Sequence, residues 1–152
     1  MNIEAGSVIK STRALDGSVF ENVTVFIAES NEKGAIGFVV NKIFERPLNA
    51  LQEFSYLPYF DLYAGGPVEK EHLFFIHRRP DIIEGGEKIC DGILLGGNFK
   101  QAAAGINEFL ITGADIKIFI GYCGWDYQEL EAEIAEGSWE ITSEAANSIF
   151  TK

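Results

Sequence analysis

Apolar positions along the chain follow two rhythms. Short β-branched and aromatic runs bounded by glycine, proline or turn formers predict strands over Ser7–Lys10, Val23–Glu29, Ala35–Val40, Leu62–Ala64, Leu73–His77, Ile89–Leu95, Asp115–Gly121 and Trp139–Thr142. The segment Ser30-Asn31-Glu32-Lys33-Gly34 between the second and third runs makes them the clearest hairpin. Within Asp115–Gly121, Ile116, Ile118 and Ile120 alternate with Lys117 and Phe119, which predicts a strand partly buried on both faces.

Helical spacing is rarer and falls between the strands. Pro47 suits a first turn, with Leu48, Leu51 and Phe54 on one face. Asn98 can cap Phe99–Leu110, where Phe99, Ala102, Ala103, Ile106 and Leu110 form a stripe. Asp126 followed by Glu129 reads as a capping box; Tyr127, Leu130 and Ile134 then face inward and Gly137 ends the helix. A last short helix is expected over Glu144–Phe150, capped by Ser143. Strands with interspersed helices predict a mixed α/β or α+β fold rather than a strictly alternating parallel sheet.

No repeat, low-complexity tract or linker interrupts the 152 residues, so residues 1–152 read as one domain. A globule of this size buries about two-thirds of its extended-chain surface and needs no disulfide or metal to fold. With 47% hydrophobic residues, the chain is too apolar for intrinsic disorder. No apolar run approaches the ~20 residues of a membrane helix, and residues 1–10 lack a signal-peptide pattern. Cys90 and Cys123, far apart and without a CxxC, are expected as free thiols in a reducing cytosol.

Charge narrows the function classes. The formal net charge is −11, and residues 125–152 hold seven acids against the single base Lys152, more than half of that excess. Such a segment is a solvated helix face or a docking face for a basic partner. Phosphate contacts dominate nucleic-acid affinity, so direct DNA binding is disfavoured.

Candidate chemistry is sparse. The sequence lacks GxGxxG after a strand, GxxxxGK[ST], HExxH and GxSxG. The diglycines Gly65-Gly66, Gly85-Gly86 and Gly96-Gly97 are turns at strand ends or, less simply, backbone loops for an anion. His72 and His77 lie on opposite faces of a regular strand and cannot jointly chelate, so no metal is expected. His77-Arg78-Arg79 is a solvated strand end or a contact for a carboxylate or phosphate. Cys123 precedes a helix start, where a thiol would be activated, but Asp126 opposes a thiolate and a packed small thiol is the simpler reading.

Four motifs in order, GAIGFVVNK (Gly34–Lys42), YAGGPV (Tyr63–Val68), LFFIH (Leu73–His77) and GYCGWDYQELEAEIAEGSW (Gly121–Trp139), follow GSVIKSTRALDGSVFENVTVFI. This pattern resembles the AlgH/YqgE family of small bacterial proteins over nearly the whole chain. The resemblance implies a single mixed α/β domain with a strongly bent, bifurcated sheet of pseudo-barrel character flanked by helices. It brings no catalytic residue, cofactor or metal, and only the label of transcriptional regulator or uncharacterised protein. Cys123 stands where the family usually has Ala, and Lys42 where it usually has Arg.

Among the motif positions Asn41, His77 and Gln128 are polar without an evident scaffold duty. A shared shallow pocket is therefore expected to gather Asn41, Gly65, Gly66, Pro67, His77, Trp125 and Gln128. The leading functional reading is a cytoplasmic, non-enzymatic module that binds a protein or small ligand, with at most an indirect role in transcription. An enzyme using His77 or Glu133 as general base is the alternative, and a direct DNA-binding regulator the second. Titration against random duplex DNA at low salt is expected to show no binding; binding that weakens with salt would restore the DNA reading.

Overall fold

The computed structural model describes residues 3–150. Nine strands form one sheet: β1 (Val8–Ser11), β2 (Thr24–Asn31), β3 (Gly34–Val39), β4 (Tyr63–Ala64), β5 (Val68–His77), β6 (Glu87–Cys90), β7 (Ile93–Leu95), β8 (Ile116–Asp126) and β9 (Trp139–Ile141). Two α-helices accompany it, α1 (Phe99–Asn107) and α2 (Glu129–Ala135). The strand order β6-β7-β5-β8-β3-β2-β1-β9 is open, with β6 and β9 at its edges, and β4 pairs with β8 beside that path.

The sheet forks on β8. One edge of this 11-residue strand takes β5 antiparallel, from Leu73 opposite Ile120 to His77 opposite Ile116. Its other edge takes β4 in parallel at Phe119 and Ile120, then β3 antiparallel at Cys123 to Asp126. Gly65 closes the fork: its N–H donates to the Ile120 carbonyl and its own carbonyl accepts from Val39 N–H, each at 2.9 Å.

Glycine is required there because backbone meets backbone. A Cβ on Gly65 would lie 2.5 Å from the Gly121 carbonyl oxygen, and one on Gly121 would run into the Gly66 carbonyl. Gly121 also has φ of 74°, which L-residues with side chains adopt at a cost. This residue inserts one step into the strand's alternation. Before it, Phe119 faces the cluster built on Phe26 and Phe38, while Ile116 and Ile118 face α1. After it, Tyr122 takes the first of these faces, and Cys123 and Trp125 face the cluster with Leu130 of α2. Val68 accordingly pairs with Tyr122 through a register shift.

The core therefore has three parts. Val25, Ile27, Trp125 and Trp139 pack under α2. Leu62, Phe75, Ile116 and Ile118 pack against Ala102, Ala103 and Ile106 of α1. Between them, both branches of the sheet contribute Phe26, Phe38, Ile76 and Phe119, with the Phe38 and Phe119 rings stacked at 4.5 Å.

The hairpin β2–β3 and the Asn98 cap, whose Oδ1 accepts from Gln101 N–H at 3.0 Å, stand as expected from the sequence. Several boundaries change. Ile89–Leu95 is two strands turned at Asp91-Gly92, where Gly92 has φ of 77°. Pro47–Phe54 makes two 3-10 turns, and the segment expected as a helix to Phe150 is a 3-10 turn over Ala146–Phe150. The first of these is bracketed by tertiary contacts, Leu48 N–H donating to the Phe60 carbonyl at 2.7 Å. α1 stops at Asn107 because the N–H groups of Leu110 and Ile111 both turn back onto the Gly105 carbonyl. α2 begins after Gln128, not Asp126, because Trp125 and Asp126 still pair with Ala35 and Gly34. Only half of the capping box forms, with Glu129 Oε1 accepting from Asp126 N–H at 2.9 Å.

Gly121→Ala is expected to destabilise the fold by about 3 kcal/mol or more, from positive-φ strain plus the clash. Urea unfolding checks this, with Gly113→Ala, where a Cβ meets nothing within 4 Å, as the neutral comparison.

Candidate functional site

The motif residues do not converge on one cleft. Asn41 ends the first hairpin: its Oδ1 accepts from Thr24 N–H at 2.9 Å and its amide donates to the Asn22 carbonyl at 3.1 Å. Gly65 and Gly66 belong to the fork; Gly66 and Pro67 also border a hollow of about 200 Å³ beside Phe20 and Lys42. Trp125 borders another, with Asp126 and Tyr122. Gln128 sits exposed at the start of α2 with φ of 65°. His77 is fully buried elsewhere, at the end of β5 between β7 and β8, with its ring against that of Phe75. Gly66 and Pro67 thus share one hollow, Trp125 lines a second, and Asn41 borders a third, a depression that Lys117 also lines.

Groups nominated for chemistry are engaged internally. His77 Nδ1 accepts from Arg79 N–H at 3.1 Å, so Nε2 carries the proton and donates to the Gly96 carbonyl at 3.0 Å. Burial holds this imidazole below its ordinary pKa, opposed by the Gly96 bond. Cys123 is buried with Sγ 3.5 Å from the Gly65 carbonyl, and burial pushes its thiol up to about 12. Glu133 Oε1 accepts both indole N–H groups, from Trp125 and Trp139, each at 3.0 Å.

The basic cluster is likewise structural. Arg79 makes a two-pronged pair with Asp81 at 2.9 and 3.0 Å and donates to the Leu110 carbonyl. Arg78 lies 4.6 Å over the Phe150 ring and donates to Asn147 Oδ1 at 3.2 Å. It thereby straps the last 3-10 turn onto the sheet. Among the described residues, no group of three or more His, Cys, Asp or Glu gathers as a metal would require.

That strap borders a depression of about 530 Å³ at the open end of the fork. Lys10 of β1 and Thr24 of β2 come from one branch of the sheet, Tyr63 of β4 and Lys117 of β8 from the other, and Ile149 and Phe150 from the strapped turn. Lys117 is the unusual member. It is only 7% exposed, a cation inside the run Ile116–Ile120, with Nζ 3.7 Å from the centre of the Tyr63 ring. Burial, then the nearby Asp61 carboxylate, raise the Tyr63 phenol above its ordinary pKa. At the mouth Lys10 and Glu144 pair at 2.6 Å.

Sequence reasoning placed Lys117 on a strand but passed over its chemistry. The available signal was a charge between the isoleucines of the otherwise apolar run Ile116–Ile120. Among the described residues, no helix is long and apolar enough to cross a membrane.

The His77 geometry fixes a pH dependence. A base held below its ordinary pKa contributes stability that is present above about pH 6.5 and lost as pH falls through the folded-state value. Urea unfolding from neutral pH down to pH near 5 is expected to show this loss, and His77→Gln to remove that component; imidazole NMR shifts should report neutral His77 below the ordinary midpoint.

Comparison with known proteins agrees with this architecture. Residues 8–152 match the family model DUF179, described as AlgH-like. A UPF0301 protein of Chlorobaculum tepidum is 31% identical over 150 residues, covering 98% of this chain and 80% of that protein. One from Chlorobium limicola is 34% identical with the same coverage. The solution structure of AlgH from Pseudomonas aeruginosa superimposes with a TM-score of 0.77 at 21% identity, over 99% of this chain and 83% of that one. The crystal structure of protein DIP2367 from Corynebacterium diphtheriae gives 0.78 at 15% identity, covering 99% and 81%. With the forked sheet and the motif order both in place, the chain belongs to the AlgH-like family.

Proposed function

We propose that this protein is a non-enzymatic, cytoplasmic binding module that takes a small ligand in the depression at the open end of the fork. Any role in transcription is indirect. The observation that carries the reading is Lys117, a buried ammonium held under an aromatic ring and bordering that depression. Burying a cation costs several kcal/mol that an apolar residue in the same strand would not cost. A polar floor under apolar walls is the ordinary make-up of a ligand pocket.

Other observations weigh against catalysis and DNA. His77 has both ring nitrogens occupied, the Cys123 thiol is buried and held protonated, and Glu133 is shared by two indoles. Arg78 and Arg79, the densest basic pair, are bound within the fold. Free Cys90 and Cys123 suit a reducing compartment.

A titration of a small-fragment set followed by amide NMR tests the reading. Perturbations are expected to cluster on Tyr63, Lys117 and Phe150, and Lys117→Met to weaken the fragments that bind there by about tenfold or more. Fragment binding that avoids this depression, or that Lys117→Met leaves unchanged, would overturn it.

A further inference from the structure

Away from that depression, we infer that an aromatic groove beside Tyr122 is a second site, one that takes an organic cation: an ammonium group carried on a small apolar body. The ammonium sits at the Glu69 carboxylate against the Tyr122 ring, and the body lies along the apolar walls.

The groove lies where the central cluster reaches the surface, holds about 380 Å³ and shares no lining residue with the depression. Phe38, Phe74 and Tyr122 make it aromatic, with Ile36 and Leu95 beside them. Its one carboxylate is Glu69, and among the described residues no lysine, arginine or histidine borders it. Two distances bring these groups within reach of a single ligand atom. Glu69 Oε2 accepts from the Tyr122 hydroxyl at 3.3 Å, and the Tyr122 and Phe74 rings stand nearly perpendicular with centres 5.4 Å apart. A ring holds a cation within about 6 Å of its centre, so an ammonium against the hydroxyl end of Tyr122 reaches the carboxylate as well. Phe38, 6.0 Å from Phe74, continues the aromatic wall inward.

The strand ladder fixes Glu69 in this place. Val68 pairs with Tyr122 and Leu73 with Ile120, so residues 69–72 bulge out between two anchored points. Glu69 stands at the root of the bulge with φ of 50°, a conformation costly for a residue with a side chain. Among the described residues it has no ion-pair partner, and its carboxylate keeps lone pairs beyond the one that the phenol uses. Burial, then the Glu69 charge and hydrogen bond, raise the Tyr122 phenol above its ordinary pKa, so it remains a neutral donor.

Charge selects the ligand class. An anion meets Glu69 and the field of a chain of net charge −11. A neutral apolar molecule gains the walls alone. A bare metal ion finds one carboxylate, and among the described residues no group of three or more ligating side chains gathers. An organic cation gains the walls, the ring face and the carboxylate together.

Three probes of matched size separate these contributions: 3-phenylpropylamine, cationic at neutral pH, 3-phenylpropanol, neutral, and 3-phenylpropionate, anionic. NMR titration of the full chain at low salt is expected to shift Ile36, Glu69, Leu95 and Tyr122, with the amine binding about fivefold or more above the alcohol and the anion weakest. Glu69→Gln keeps the length of the side chain and should cut the amine's affinity about threefold or more while sparing the alcohol's. Tyr122→Phe keeps the ring and should retain amine binding, whereas Tyr122→Leu should lose it. Should Tyr122→Leu fail to fold by circular dichroism, the probe series and Glu69→Gln decide. Equal affinity for amine and alcohol would overturn the cation site. An amine advantage that Glu69→Gln leaves intact would overturn it too, since diffuse attraction to an acidic chain gives that result. Shifts confined to Tyr63, Lys117 and Phe150 would also overturn it while speaking for the depression, so the two readings fail separately.

Discussion

Direct backbone-on-backbone contact at Gly65, Gly66 and Gly121 is the constraint on which the rest of this molecule depends. It lets β4 insert beside β8 while β3 peels away, so that a single strand belongs to two branches of one sheet. Because Gly121 also shifts the alternation by one residue, each part of β8 can bury apolar side chains on faces that suit its own branch. The central cluster with the Phe38–Phe119 stack fills the space between the branches. Where that packing ends, the branches leave the depression that Lys117 and Tyr63 border.

Legibility in the sequence followed how local each feature's cause was. The β2–β3 hairpin and the Asn98 cap rest on neighbours within a few residues, and both were readable. The two-residue turn at Asp91-Gly92 was missed, because the apolar run across it reads as one strand, Ile89–Leu95. The start of α2 was misplaced because Asp126 and Glu129 carry a capping signal that a distant partner overrides: β3 holds Trp125 and Asp126 in the ladder. The positive φ of Gly121 has no local signature at all, since it answers to Gly66 more than fifty positions earlier in the chain.

The candidate site shows the same division. Polar residues without an evident local duty, Asn41 and His77, turned out to have one across the fold, closing a hairpin end and bridging two turns. The acidity of the C-terminal part is similarly put to use in places: Glu129 caps, Glu133 receives two indoles, and Glu144 pairs with Lys10. Lys152 lies outside the described residues. Patterning carried an unused signal at Lys117, its mismatch with the isoleucines around it. A mismatch of that kind is informative because a charge buried in a strand needs a reason, whereas a polar residue at a strand end needs none.

The pair of indoles on Glu133 gives the molecule an optical asymmetry. Both tryptophans of the chain, 5.8 Å apart and perpendicular, sit in the branch under α2, and none lies near α1. Intrinsic tryptophan emission therefore reports on one branch alone. Loosening of the α1 side would pass unseen in a fluorescence trace, while backbone circular dichroism would register it. Comparing the two signals reads out directly how firmly the shared strand β8 couples the two branches into one cooperative unit.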